Sequence, residues 1–293
     1  MKLKEILDKT TQFFKDKGIE TPRLDAELLL AHGLKLERIQ LYLKFDQPMK
    51  EDELATLREL VRRRAQGEPV AYILGYREFY KYRFEVNNHV LIPRPETEHV
   101  IEEVLAWAKD QKSDLGLIDL GFGSGCIGLT LLKELPQAKL VAVDISAEAS
   151  AVAKRNAESL GVQDRVRFVN ADAANSDAVL TAYKELTGND KIDVLVSNPP
   201  YIASDDPQVE ANVKKFEPNL ALFADDQGLA LLKNWSKIYS SHLAAKACVV
   251  MEMGMTQGSV MKDYFSNFNV FSEVKVIKDL AGLDRLICGV KNG

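Results

Sequence analysis

Apolar residues recur at helical spacing over the first part of the chain. Leu3, Ile6, Leu7, Thr10, Phe13 and Phe14 fall on one face at i, i+3, i+4 and i+7 spacing, and Gly18 supplies the stop. Thr21-Pro22 reads as an N-cap followed by proline at the first helical position, and Leu24, Leu28 and the neighbouring leucines carry a second helix to Gly33. A third short helix surrounds Ile39, and a fourth runs from about Glu51 to Gln66 before Gly67. Together these predict a small helical bundle. From Phe79 to Ile92 the pattern turns to aromatic and β-branched residues broken by Asn87-Asn88, which predicts a β-hairpin. Pro93-Arg94-Pro95 ends it and opens a helix at Glu96.

Beyond about residue 113, short apolar runs alternate with helical stretches. The strand candidates are Leu117 to Leu120, Lys139 to Val143, Val166 to Asn170, Ile192 to Ser197, Ala247 to Met251, Val270 to Ile277 and Leu286 to Val290. Helices separate the first five, the rhythm of a doubly wound, mostly parallel sheet. The last two lack a clear helix between them, which predicts an antiparallel hairpin at one edge. The expected division is a helical domain over 1–75, a connecting hairpin over 76–95 and an α/β domain over 96–293.

Composition changes this picture little. Of 293 residues, 46% are hydrophobic and 28% charged, which places the chain in the globular class and excludes a disordered or collagen-like one. Charge adds more. The net charge of −5 divides into +3 for residues 1–95 and −8 for the remainder, so the structural boundary is also a charge boundary. The acidic balance argues against nucleic acid as a direct partner of the α/β domain. Arg62-Arg63-Arg64 closes the fourth helix, where cations suit the helix dipole and could also dock a partner. Cys126, Cys248 and Cys288 are far apart and set in apolar runs, which offers neither a disulfide framework nor a CxxC metal site and suits a reducing cytoplasm. Met1 to Phe14 lacks the apolar core of a signal peptide, and no apolar run approaches the roughly 18 residues of a membrane span.

Chemistry enters at Asp119-Leu120-Gly121-Phe122-Gly123-Ser124-Gly125-Cys126, where a strand is expected to give way to a helix. Glycines there allow a tight turn and close backbone approach to a ligand, and the helix amino terminus offers free N–H groups. Gly123 to Gly128 also satisfies the dinucleotide pattern GxGxxG, with Asp144 about 20 residues on. That match does not separate a nicotinamide cofactor from S-adenosyl-L-methionine, and a plain structural turn would satisfy it too. Asp144, closing the second α/β strand, can accept hydrogen bonds from ribose hydroxyls or cap the segment beginning near Ser146. Asp172, after the third strand and followed by Ala173, can accept from an adenine amino group or simply begin a loop.

Asn198-Pro199-Pro200-Tyr201 follows the apolar strand Val194 to Ser197 and discriminates further. Two prolines cannot continue a sheet, and they remove donors from the backbone. What remains are acceptors, on the Asn198 side chain and the Pro199 backbone, and the aromatic face of Tyr201. That set suits a planar NH₂ group, whose two hydrogens take the two acceptors while the ring packs over the plane. A dehydrogenase has no need of it. Holding both hydrogens off the plane would localise an otherwise delocalised lone pair and aim it at an electrophilic methyl group, a gain of orientation and electrostatics.

At these residues the chain resembles class I S-adenosylmethionine-dependent methyltransferases carrying NPPY. Over nearly its whole length it resembles the peptide chain release factor glutamine N5-methyltransferase family. The resemblance rests on Pro22 to Leu29, on Arg63 to Tyr72 leading to Gly75 and Glu78-Phe79, and on Leu91-Ile92-Pro93-Arg94-Pro95-Glu96-Thr97-Glu98. The glycine loop, Asn198 to Tyr201 and Asp284-Arg285 after Lys278-Asp279 complete it. It implies a Rossmann-like methyltransferase domain after an N-terminal substrate-recognition domain, and direct in-line methyl transfer from S-adenosyl-L-methionine. The acceptor would be the side-chain amide nitrogen of the glutamine in the Gly-Gly-Gln motif of a class 1 release factor. By position, Gly121, Phe122, Gly123, Ser124, Gly125, Asp144, Asp172, Ala173 and Asn198 would hold the cofactor. Asn198, Pro199, Pro200 and Tyr201 would hold the glutamine, with Asn198, Pro199 and Tyr201 as the catalytic set. Ala173 stands where the family often has an aromatic residue, Phe122 where a small one is common, and Met253 where histidine is frequent.

No metal is expected, since His32, His89, His99 and His242 show no paired ligand spacing. His89 and His99 are expected at the surface. Arg94 could position substrate carbonyls or pair with Glu96 or Glu98. An enzyme methylating an exocyclic amino group of adenine or guanine in RNA or DNA is the alternative, since a base NH₂ suits the same motif.

Overall fold

In the computed structural model, residues 1–207 and 209–293 are described, and they form two compact units, one of residues 1–76 with 210–216, the other of residues 77–209 with 217–293. The first unit holds α1 (Leu3–Asp16), α2 (Pro22–Gly33), α3 (Arg38–Leu43), α4 (Glu51–Ala65) and α5 (Val70–Leu74). The α1 face is the expected one, with Leu3, Ile6, Leu7, Thr10 and Phe14 buried, although Phe13 stays 40% exposed. Gly18 ends the turn at φ 74°.

The second helix packs differently from its leucine pattern. Leu24 is exposed, whereas Asp25, Ala26, Glu27, Leu29 and Leu30 are buried. Thr21 precedes the helix but does not cap it, since its hydroxyl donates to Asp25. Each buried carboxylate has a cation: Arg64 Nε lies 2.7 Å from Asp25 Oδ2, and Arg23 Nε lies 2.7 Å from Glu27 Oε1. The arginine run is therefore spent within the unit, Arg62 on Glu59, Arg63 on Glu68 and Arg64 on Asp25. Removing one partner of a buried pair leaves an uncompensated charge. Arg64→Ala is expected to cost about 3–5 kcal/mol in urea denaturation of this unit, whereas Arg62→Ala, at an exposed pair, is expected to cost under about 1 kcal/mol.

The second unit opens at Arg77, within β1 (Tyr76–Phe79), which pairs with β2 (Tyr82–Glu85) as a two-stranded sheet. The hairpin therefore turns at Tyr80-Lys81, not at Asn87-Asn88. Tyr80 takes φ 57°, and its N–H is held by Glu98 Oε1 at 2.8 Å. Asn87 Oδ1 instead accepts from the His89 N–H in a local turn outside the strands. A 3₁₀ turn over Pro95–Thr97 leads into α6 (Glu98–Ala108).

The main sheet contains β3 (Gly116–Leu120), β4 (Lys139–Asp144), β5 (Val166–Asn170), β6 (Ile192–Ser197), β7 (Leu243–Glu252), β8 (Phe271–Lys278) and β9 (Asp284–Lys291). Their order is β5-β4-β3-β6-β7-β9-β8, parallel through β7 and antiparallel at β9 and β8. The helices between are α7 (Cys126–Glu134), α8 (Ala147–Leu160), α9 (Ser176–Thr187), α11 (Ala230–Ser240) and α12 (Gly258–Ser266); α10 (Ala211–Phe216) belongs to the first unit.

Alternate residues of the central strands feed two cores. Leu117, Leu140, Ala142, Val194, Val196 and Val250 join α6, α7 and α8 on one face. Ile118, Leu120, Val141, Val143, Leu195, Val249 and Met251 join α9, α11 and α12 on the other. A sheet covered on both faces requires continuous apolar strands, which is why these segments read so plainly. At the edge, Lys278–Asp284 and Arg285–Asp279 ion pairs, at 2.7 and 2.8 Å, brace the turn between β8 and β9.

Chain order reverses between β3 and β6, and ligands of open α/β sheets bind outside strand carboxyl ends at such a switch point. Leu120 pairs with Ser197 in register, and Ser197 Oγ donates to Leu120 O at 2.6 Å. The glycine loop and Asn198 therefore leave the sheet side by side.

Candidate active site

The glycine loop is built by conformations that favour glycine. Gly121, Gly123 and Gly125 take φ of 70°, 53° and 81°. A Cβ on Gly125 would also crowd Leu129, whose Cδ1 lies 2.8 Å away, so the positive φ and this contact together favour glycine at the turn into α7. Asp144, at the end of β4, anchors the loop: its Oδ2 accepts from Gly123 N and its Oδ1 from Ser146 N, both at 2.9 Å. Burial raises the Asp144 pKa, and the surrounding N–H groups oppose that rise. Ser146, not Asp144, caps α8, its hydroxyl accepting from Ala149 N. Deeper in, Asp119 Oδ2 accepts from Gly128 N at 3.0 Å while burial pushes its carboxyl up to about 7.

These segments border a cavity of about 300 Å³. Of the residues singled out in the sequence, Gly121, Phe122, Gly123, Ser124, Asp144, Asp172, Ala173, Asn198 and Pro200 line it. Gly125, Pro199 and Tyr201 do not. Gly125 lies behind the turn it closes, and Pro199 is buried. Asp172 is exposed and accepts from Ala174 N, so it begins a loop as well as facing the cavity. Ala173 is buried, and its carbonyl accepts from the Tyr239 hydroxyl at 2.7 Å. Phe122 is only 4% exposed and packs edge-on against Phe168. Met253 is buried in the second core.

Beside the cavity runs a polar chain that the sequence did not reveal. Asn198 Nδ2 donates to Thr97 Oγ1 at 3.2 Å, Thr97 Oγ1 donates to Glu252 Oε2 at 2.6 Å, and the Tyr201 hydroxyl donates to Glu252 Oε1 at 2.9 Å. Glu252 is 1% exposed, and burial raises its pKa. Burial also holds the Tyr201 phenol far above its ordinary range, so it stays neutral. The available signals were Thr97 within the Pro93 to Glu98 string and a lone carboxylate closing the apolar run Ala247 to Met251.

Arg94 pairs with neither neighbouring glutamate. Its Nη2 lies 2.6 Å from Oε1 of buried Glu217, whose other oxygen accepts from Ile92 N. His89, expected as a surface residue, is exposed but also borders the cavity, and His99 pairs with Glu102. Trp235, from α11, supplies an aromatic wall, whereas Trp107 donates its indole N–H to Lys246 O elsewhere. Of these two tryptophans, only Trp235 borders the cavity. Ligand entry is therefore expected to change the intrinsic fluorescence of wild type and of Trp107→Phe alike, and to leave Trp235→Phe unchanged.

Comparison with known proteins places both parts of the chain. Residues 5–75 match the family model described as the PrmC N-terminal domain, and residues 103–246 match the methyltransferase small domain. A release factor glutamine methyltransferase of Chlorobaculum tepidum is 40% identical over 286 residues, covering 96% of this chain and 94% of the relative. Its counterpart in Rhodopirellula baltica is 38% identical over 286 residues, with the same coverage. Among solved structures, the hMettl16 catalytic domain in complex with a MAT2A 3'UTR hairpin matches with a TM-score of 0.54 at 16% identity, over 72% of this chain and 77% of that one, a likeness of fold.

Proposed function

The chain belongs to the release factor glutamine methyltransferase family, and from that premise we propose that it methylates the side-chain amide nitrogen of the Gly-Gly-Gln glutamine in class 1 peptide release factors. One arrangement carries the reading. With its Nδ2 engaged by Thr97, Asn198 keeps Oδ1 as an acceptor at the rim of a cavity shared with the glycine loop and Asp144.

The cavity residues suit S-adenosyl-L-methionine as the methyl donor. Asp144 and Asp172 offer carboxylates to hydroxyl and amino hydrogens, and Ile127, Leu231 and Trp235 give apolar walls. Arg94 is neutralised by Glu217, which removes a repulsion for a cationic sulfonium. Ser124, buried at the cavity wall beside the Cys126 thiol, can offer its hydroxyl to a polar ligand. When bound, the donor supplies an electrophilic methyl carbon.

The remaining work falls to the chain itself. Gly121 to Ser124 present backbone to the donor, with Gly125 shaping the turn behind them, Asp144 accepts from its ribose hydroxyls, and Asp172 with the Ala173 backbone meets its adenine. Asn198 Oδ1 and the Pro199 carbonyl accept the two hydrogens of the glutamine amide, and the Pro200 and Tyr201 side chains pack against its plane. This holds the nitrogen lone pair out of conjugation and aims it along the transfer axis. Tyr201, a neutral phenol tied to Glu252, acts through its ring and not as a base. The methyl–sulfur bond breaks as the nitrogen–carbon bond forms, and the surplus amide proton passes to water.

The test offers methyl-tritiated S-adenosyl-L-methionine and the protein either a class 1 release factor or total RNA. Label in the release factor is the expected result. Label in RNA with none in the release factor would overturn the assignment in favour of a nucleic-acid amino group.

A further inference from the structure

Asn198 is useful only one way round. Its carbonyl oxygen accepts an amide hydrogen, but a 180° flip about χ2 would present its own NH₂, a donor facing a donor. The two ends differ little in shape, so packing alone does not choose between them, and the choice falls to hydrogen-bond partners.

The partners here form a directed chain. Thr97 Oγ1 has one proton, and at 2.6 Å it is given to Glu252 Oε2. A hydroxyl whose proton is spent can only accept from its other neighbour, and that neighbour is Asn198 at 3.2 Å. Asn198 must therefore turn Nδ2 towards Thr97. Glu252 Oε1 meanwhile accepts from Tyr201, so the same carboxylate fixes the aromatic residue of the motif. Thr97 and Glu252 are each 1% exposed, Thr97 at the cavity wall and Glu252 behind it.

We infer that Thr97 and ionised Glu252 are positioning residues that set the amide polarity of Asn198, and with it the ability of the site to accept a substrate NH₂. This rests on the functional reading above and deepens it. If Glu252 takes up a proton, it can donate to Thr97. The threonine hydroxyl is then released to donate to Asn198 and favours the flipped, incompetent amide. Around Glu252 stand Thr97 and Glu96 from the 3₁₀ turn, Tyr201 from the segment after β6, Arg285 from β9 and the Cys126 thiol. Arg285 favours the ionised form but is itself bound to Asp279, Glu96 opposes it, and burial keeps the Cys126 thiol neutral by raising it to about 12. Burial is the largest influence on Glu252 and raises its pKa, so protonation begins above the ordinary carboxylate range. Competence is present at higher pH and lost as pH falls through that value.

The experiment compares wild type, Thr97→Val and Thr97→Ser by two readouts. The first is the NMR signal pair of the Asn198 side-chain amide in ¹⁵N-labelled protein, identified by its loss in Asn198→Asp. It is expected to exchange slowly with solvent in wild type and Thr97→Ser, and at least tenfold faster in Thr97→Val. The second is turnover with release factor against pH. Thr97→Val should lose about tenfold or more in kcat and the acid limb of the profile, with the S-adenosyl-L-homocysteine Kd within about twofold of wild type. Thr97→Ser should recover most of both. An unchanged amide exchange rate in Thr97→Val overturns the inference whatever the substrate proves to be. So does a Thr97→Val that keeps wild-type kcat, or one whose product binding falls in step with turnover. Wild type that transfers nothing to release factor defeats the functional reading instead, and the amide signals still decide the polarity of Asn198. Should Thr97→Val fail to fold, the wild-type amide signals alone decide: protection relative to a free side-chain amide at the same pH that is present at high pH and lost as pH falls supports the inference, and no protection at any pH overturns it.

Discussion

Asn198→Ala is expected to lower kcat by about a hundredfold or more, the scale for deleting one preorganised polar contact to a reacting group. Binding of S-adenosyl-L-homocysteine should change by only a few fold. The asymmetry follows from where Asn198 stands. Its Nδ2 is committed to Thr97, and its Oδ1 is the acceptor left to align a substrate amide. The glycine loop, Asp144 and the Asp172-Ala173 pair line the same cavity, so under this proposal donor binding does not rest on Asn198 alone. Steady-state kinetics with release factor, beside calorimetry of product binding, separates the two effects. Retention of most turnover would remove Asn198 from the mechanism.

Asp144→Ala should do the reverse, raising the Kd for S-adenosyl-L-homocysteine by about a hundredfold or more, so that transfer at limiting donor falls with it. A carboxylate that accepts two hydroxyls loses charge-assisted bonds worth about 1.5–3 kcal/mol each. The same substitution frees the N–H of Gly123, which Asp144 holds at 2.9 Å, and so loosens the loop itself. Asp144→Asn keeps one acceptor oxygen and should fall between. Calorimetry measures the affinities, and thermal unfolding without ligand shows whether the fold has survived. Wild-type affinity in Asp144→Ala would place the ribose elsewhere.

Much of the α/β unit was legible because burial on both sheet faces leaves a continuous apolar signature. Strands β5 and β6 fall on their expected limits, and β3 and β4 differ by one residue at one end. β7 begins four residues earlier than its apolar run, because the exposed pair Ala245 and Lys246, the latter at φ 62°, interrupts the apolar pattern near its start. The hairpin was displaced for a different reason. Tyr80-Lys81 carries neither glycine nor asparagine, and the turn is held by Glu98, 18 positions away. Helix α5, five residues between Pro69 and Gly75, is too short to show a period.

The candidate site divides in the same way. The glycine loop, Asp144 and the Asn198 to Tyr201 motif are local strings whose chemistry is written in neighbouring residues. Thr97 and Glu252 lie 155 positions apart, and Arg94 and Glu217 lie 123 apart. Only the folded sheet brings each pair within hydrogen-bond distance. No spacing rule could have joined them. The buried acids of α2 and the arginines that neutralise them were hidden likewise, because a charge in a helical pattern ordinarily marks a solvated face.

The central claim is that the acceptor is the glutamine side-chain nitrogen of the Gly-Gly-Gln motif. It is tested most directly by incubating the protein with S-adenosyl-L-methionine and a class 1 release factor bearing either Gln or Ala in that motif, then mapping methylation by peptide mass spectrometry. The expected result is a single methyl group on the motif glutamine of the unaltered factor and none on the alanine form. Equal methylation of both factors would contradict it.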